Sequence, residues 1–339
     1  MPHTVTSNFS QADDFQNAMA AEGSIGLVVT RPGRFQARLT QVSLGSLRLT
    51  DVEETVARIA FISVPQNTIM IALSLGHGPG QVWGGIGAER EDLVMLGSGQ
   101  SAHVRTEGPC HWGTIWLPSR EFVQSTDVFI GHSSQIASGP CVWRPATSVR
   151  RELRRLYSFA VQAMCGRPGP LTDAEAAHGL EQQLIHASIE CVSGRLANGC
   201  TAMRRRQREL MVQFEDFFAT EPPSEMSIPA ITSALGVSDR FLRSSCKEQL
   251  GMSPLSYLRF RRLQSARRDL RHAAPDTLTV TEAGRRYGFH DRGRFAAAYR
   301  RLFGEQPSVT LHMGPNQPMP ELTLRRRPRR TPRPASQLS

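Results

Sequence analysis

Between Arg34 and Pro118 the apolar residues either alternate with polar ones or gather in short β-rich runs. RFQARLTQVS and SLRLTDVE alternate with period two, whereas TVARIAFISV, NTIMIALSLG, DLVMLGSG and HWGTIWLP are richer in Val, Ile and aromatic residues. This texture predicts strands. Gly45, Pro65-Gln66-Asn67, GHGPG at 76–80 and Gly97-Ser98-Gly99 predict the turns between them. Short strands at this spacing, with no helices between, read as a β-barrel or sandwich up to about residue 118. Residues 1–30 are polar and are expected to be poorly ordered at the start.

Beyond residue 118 the period lengthens to that of a helix. SREFVQSTDVFIG begins on a cap-like Ser119. SVRRELRRLYSFAVQAM (148–164) spaces Leu153, Leu156, Phe159 and Ala160 for one face. LTDAEAAHGLEQQLIHASIECVSG (171–194) opens with Thr172 three residues before Glu175, a capping-box pattern, and stops at Gly194. These two long helices suit either a dimer interface or packing onto the β module. From Met203 another helix turns Leu210, Met211, Phe214, Phe217 and Phe218 inward and ends at Pro222-Pro223. The expected class is α+β: a β domain over 31–147, a helical connector over 148–200 and an all-α domain over 205–310. A Pro- and Arg-rich tail over 314–339 is expected to be disordered.

The all-α domain writes a single pattern twice, as GVSDRFLRSSCKEQLGMSP (236–254) and GFHDRGRFAAAYRRLFGEQP (288–307). Gly236 and Gly288 supply a left-handed turn, and Ser238 and Asp239 favour the start of the helix after the first turn. Ile228, Ile231 and Leu235 line the helix before the first turn; Val280, Ala283 and Tyr287 line its counterpart. Each copy reads as a helix-turn-helix, over 227–248 and 279–302. The glycines lie 52 residues apart and the closing prolines, Pro254 and Pro307, 53 apart. The second copy therefore holds one extra residue, most simply Gly293, which matches Asp291 to Asp239. Between the copies, 254–273 carries Leu255, Leu258, Leu263, Ala266 and Leu270 as an apolar stripe, without internal Gly or Pro. Such a rod would hold two recognition helices for successive major-groove segments of one duplex.

Charge points the same way. The chain is +10, yet residues 201–339 hold 25 Lys+Arg against 13 Asp+Glu, leaving the first 200 residues slightly acidic. A polyanion partner for the C-terminal region follows. Cations and polar groups early in each recognition helix are placed to reach base edges: Ser238, Arg240, Arg243, Ser244, Asp291, Arg292 and Arg294. Lys247, Arg261, Arg262, Arg268, Arg300 and Arg301 are placed to hold phosphates.

Ala234-Leu235-Gly236-Val237-Ser238, Leu250-Gly251-Met252-Ser253-Pro254, Arg262-Leu263-x-x-Ala266-Arg267-x-x-Leu270, Tyr287-Gly288-Phe289-x-Asp291 and Phe303-Gly304-x-x-Pro307 together resemble the AraC/XylS family of transcription regulators over about residues 205–310. The chain departs from the family's usual residues at Thr232, Ser244, Cys246 and Ala297. The resemblance implies a sequence-specific DNA-binding regulator, an activator working with RNA polymerase. It also implies a cupin-like domain sensing a small-molecule effector and helices that often form a homodimer.

Catalytic chemistry finds little footing. His77, His103, His111 and His132 stand singly, so no metal site is read, and no phosphate-cradling Gly-rich loop appears. No catalytic residue and no cofactor is expected. The six cysteines read as buried thiols. The alternative is a cupin-type metalloenzyme or methyl-accepting repair protein carrying a DNA-targeting domain. Arg38, Trp83, Trp112 and Trp116 either line an effector pocket or pack the core. No signal peptide and no membrane-length apolar run is evident, which gives a cytoplasmic expectation.

Overall fold

Glycine and asparagine in left-handed conformations fold the N-terminal half into antiparallel hairpins. A computed structural model describes residues 3–20, 23–76, 78–124, 139–165, 173–193, 195–198, 201–220, 226–274 and 277–313. The tail over 314–339, Pro222-Pro223, Thr172, Gly194, His77, His132, Cys200 and the latter portion of SREFVQSTDVFIG lie outside the described residues.

Segment 1–30, expected to be poorly ordered, instead forms β1 (His3–Phe9), α1 (Ala12–Ala20) and β2 (Ser24–Val29). Then come β3 (Ala37–Leu44), β4 (Leu47–Glu54), β5 (Arg58–Ser63), β6 (Thr68–Ser74), β7 (Gln81–Trp83), β8 (Ile86–Ala88), β9 (Leu93–Leu96), β10 (Ser101–Arg105) and β11 (Cys110–Pro118). The punctuating residues sit where a side chain is disfavoured: Gly45 has φ 60° between β3 and β4, Asn67 φ 60° before β6, and Gly99 φ 69° before β10. Among the described residues the strands make two antiparallel sheets and no closed barrel. Among the described residues the larger runs β1-β3-β4-β11-β6-β9-β12-β13 and the smaller β2-β5-β10-β7-β8. Strand β11 is buried on both faces, which explains its continuous apolar run.

The connector is not wholly helical. After α2 (Ser119–Gln124) and β12 (Cys141–Arg144) come α3 (Thr147–Cys165) and α4 (Ala174–Val192). The short strand β13 (Arg195–Asn198) then returns to the edge of the larger sheet. Asp173 caps α4 by accepting from the Glu175 N–H at 3.3 Å. Leu153, Leu156, Tyr157 and Ala160 of α3 and Leu180, Leu184 and Ile185 of α4 enter the core against the sheet. Tyr157 takes the inward place expected for Phe159, which is exposed.

The all-α domain comprises α5 (Ala202–Thr220), α6 (Ile228–Leu235), α7 (Asp239–Leu250), α8 (Pro254–His272), α9 (Val280–Arg286), α10 (Arg292–Phe303) and α11 (Pro307–Met313). Helix α8, the linking rod, is continuous over 19 residues. Leu258, Leu263, Ala266 and Leu270 are buried as expected; Leu255 is exposed, and Tyr257 is buried instead.

The two halves share their cores. Phe15, Met19, Leu27 and Trp112 cluster with Leu263, Leu270, Tyr287 and Phe295. Val28 and Ile59 cluster with Phe214, Leu242 and Tyr257. At this junction Glu215 of α5 is buried. His103 Nε2 lies 2.9 Å from its Oε1, the Tyr257 hydroxyl donates to Oε1 at 2.6 Å, and Arg261 pairs with the other oxygen. Burial works to raise the Glu215 pKa, but Arg261, then His103 and Tyr257, hold it down to about 2.

A carboxylate depressed below its ordinary 4.5 stabilises fully above that pH, and the contribution is lost as pH falls toward about 2. Glu215→Gln leaves Arg261 without its counter-charge and is expected to cost about 3 kcal/mol at pH 7. The deficit should narrow below pH 4.5 in urea melts of both proteins; a constant deficit would count against the charge.

Candidate nucleic-acid interface

Each helix-turn-helix is assembled from local signals. Ser227 caps α6 by accepting from the Ala230 N–H at 3.3 Å. Gly236 ends that helix at φ 62°, and Val237 packs between its two helices' core residues. Ser238 caps α7, accepting from the Phe241 N–H at 3.2 Å. In the second unit Thr279 and Glu282 form a reciprocal capping box at the start of α9. Phe289 packs into the corner, its ring centroid 5.1 Å from that of Phe295.

Cap geometry corrects the alignment of the two copies. Asp291 is the cap of α10, its Oδ1 accepting from the Arg294 N–H at 2.8 Å. It therefore occupies the place of Ser238, not of Asp239. Gly251 and Gly304 close the two helices at φ 72° and 77°, and both helices are 12 residues long. The extra residue of the second copy thus lies in its turn, ahead of Asp291, and not at Gly293.

Arg240, Arg243, Ser244 and Lys247 are exposed on α7, as are Arg292, Arg294, Arg300 and Arg301 on α10. Arg243 keeps Nε on Asp239 at 2.9 Å, which leaves its terminal nitrogens outward. The Ser244 hydroxyl donates to the Phe241 carbonyl at 2.9 Å, and the Ser238 and Asp291 oxygens serve as caps. Ser238, Ser244 and Asp291 are thus engaged by their own helices.

The linking arginines divide. Arg268 is exposed. Arg261, expected to hold a phosphate, is committed to Glu215 and lies over the Phe218 ring at 4.8 Å. Arg262 donates to the Met226 carbonyl at 2.6 Å. Burial of the carboxylate is the reason for the Arg261 pairing: an acid inside an apolar junction needs its cation beside it. Further along, Arg271 pairs with Asp14 at 3.0 Å and lies 3.8 Å from Asp13, while Arg267 pairs with Glu305 at 3.0 Å and donates to Gln11 at 3.0 Å. The sequence carries only faint signals of these contacts: an Asp13-Asp14 pair before Phe15, and two acids, Glu215 and Asp216, among Phe214, Phe217 and Phe218.

The tryptophans do not gather around Arg38. Trp83 and Trp116 are buried in one core cluster and Trp112 in another. The Trp112 indole N–H donates to Glu54 at 2.7 Å, beneath the buried Arg58–Glu54 pair. Arg38 instead edges a cleft of about 760 Å³ at the end of the larger sheet, with Asn8, Phe9, Gln36, Glu53 and His111. Asp51 accepts a hydrogen bond from His111 Nε2 at 3.0 Å, and this raises the imidazole pKa.

A family model described as a helix-turn-helix domain matches residues 231–313. The HTH-type transcriptional activator RhaS of Salmonella agona (strain SL483) is 31% identical over 207 residues, 60% of this chain and 70% of that protein. The probable thc operon regulatory protein of Rhodococcus erythropolis is 35% identical over 100 residues, and the match spans 30% of its length. Among solved structures, the AraC-like transcriptional activator CuxR aligns with 78% of this chain and 96% of its own, at 15% identity and a TM-score of 0.42.

Since Asp291 works as a cap, Asp291→Ala is expected to lower stability by about 1 kcal/mol and to leave DNA sequence preference unchanged. Thermal melts and competition binding on operator variants measure the two separately; an altered preference would return Asp291 to the base-reading set.

Proposed function

The chain belongs to the AraC/XylS family of DNA-binding transcription regulators, and from that membership we propose that both helix-turn-helix units engage one duplex in response to a small molecule held by the β domain. The observation that carries this reading is the pair of cation-bearing helices, α7 and α10, joined through one unbroken rod. A rod of that kind suits segments about one helical turn, roughly 34–36 Å, apart. Exposed arginines on both helices suit phosphate and guanine contacts. Arg240 and Arg243 are proposed at base edges, with Lys247, Arg268, Arg300 and Arg301 at phosphates.

The cleft beside Arg38 is the proposed effector site. Phe9 lines it and meets Phe15 of α1 edgewise, with ring centroids 5.6 Å apart. Helix α1 in turn holds Arg271 of the linking rod through Asp13 and Asp14. A ligand that shifted Phe9 would thus press on the rod through packed side chains. RhaS is named an activator, which favours activation and contact with RNA polymerase here. A homodimer has less support, because the apolar faces of α3 and α4 are already occupied by the sheet. No described helix is long and apolar enough to cross a membrane, and a DNA-binding regulator acts where the chromosome is, in the cytoplasm.

Among the described residues, three of the buried thiols are poorly suited to chemistry. Burial pushes the Cys110, Cys191 and Cys246 thiols up to about 12, away from the reactive thiolate.

Footprinting should show protection confined to particular promoter segments, with affinity falling at least tenfold between about 50 and 200 mM salt. Uniform, sequence-blind protection would refute specific recognition. Filling the cleft with Asn8→Trp should freeze reporter output at one level across growth conditions while DNA affinity in vitro stays within about twofold. Output that still varies as in the wild type removes the cleft from the pathway.

A further inference from the structure

The two recognition helices present different chemistry at equivalent positions. Alignment from cap to closing glycine pairs Leu242 with Phe295, Cys246 with Tyr299 and Leu250 with Phe303, and all six are buried. The same register pairs Arg240 with Gly293, Arg243 with Ala296, Ser244 with Ala297 and Lys247 with Arg300. On the outward face of α7, then, stand two arginines and a serine. On that face of α10 stand a glycine and two alanines, flooring an open depression edged by Arg300, Arg301 and Gln306. The remaining cations of α10 lie elsewhere: Arg292 and Arg294 match Asp239 and Phe241 on the first turn, and the Arg294 side chain is 89% exposed.

Charge is distributed in the opposite sense. Helix α7 carries Arg240, Arg243 and Lys247 against Asp239 and Glu248, a net +1. Helix α10 carries four arginines and no acid, a net +4. Discrimination among base pairs in the major groove needs donors and acceptors that reach the base edges, and Gly and Ala offer only close approach and contact with a thymine methyl. Phosphate contacts orient the protein without reading sequence.

We infer that the two units divide the work: α7 reads base edges through Arg240 and Arg243, while α10 is a charged clamp that grips its segment mainly by phosphates. This rests on the proposed engagement of one duplex by both units and adds which of them decides the sequence.

Selection of bound sites by the full chain from a random duplex library tests it. One segment should emerge with strong base preference, and the adjoining one with little beyond a taste for thymine. Arg243→Ala should flatten the preference at one or two positions of the strong segment, by about tenfold or more in relative affinity. Arg300→Ala with Arg301→Ala should weaken binding to all sequences alike and reduce the salt slope by about 2. Ala297→Arg should create a guanine preference in the weak segment. Equal base preference in both segments, or a change of preference in the Arg300/Arg301 variant, overturns the division of labour. A library that yields no preferred sequence at all would instead overturn the underlying reading of specific recognition. Circular dichroism melts of each variant separate loss of contact from loss of fold.

Discussion

Glu215 is a carboxylate with nowhere to go. It lies buried where the smaller sheet meets the helical half, and three groups from two directions converge on it: His103 from β10, and Tyr257 and Arg261 from the linking rod. An ionised acid in such a place survives only when its hydrogen-bond positions are filled, and breaking one partner leaves the others buried and uncompensated. The position of the rod against the sheet is therefore specified by charge as well as by the apolar contacts around it. Since α8 carries one helix-turn-helix at each end, the placement of both DNA-facing helices follows from this junction.

A second set of contacts works at the other end of the rod. Arg271 meets Asp13 and Asp14, and Arg267 meets Gln11 and Glu305. Glu305 also accepts from Thr310, which in turn accepts from the Tyr299 hydroxyl inside the second unit. The N-terminal helix, the rod and the second unit are thus joined in one polar chain. Burial raises the Asp13 pKa while the neighbouring arginines, Arg267 first, oppose it. Acidic residues of the nearly neutral half thereby meet arginines that face inward, and the cations left on α7 and α10 face out.

Much of this is legible in the sequence because it depends on local chemistry. The repeat, its glycine turns and the continuous rod follow from spacing, and the strands and their turns follow from alternation and from Gly and Asn positions. Sequence and structure part where two local choices are nearly equal. Gly293 is an obvious candidate for the inserted residue, yet the cap decides the register, and an aspartate caps as well as a serine. Phe159 and Tyr157 share a helix two positions apart; Tyr157 goes inward because its hydroxyl reaches the Thr50 carbonyl at 2.8 Å.

By itself the sequence determined the two recognition units, the rod between them and the basic character of that half, because capping, helical periodicity and charge act over a few residues. Only the tertiary structure decided which arginines remain available. Arg261, Arg262, Arg267 and Arg271 look no different in the chain from Arg268, yet their partners lie up to 257 residues away. Nothing local encodes such pairings; they arise when apolar surfaces from both halves exclude water and every charge caught between them must find its opposite.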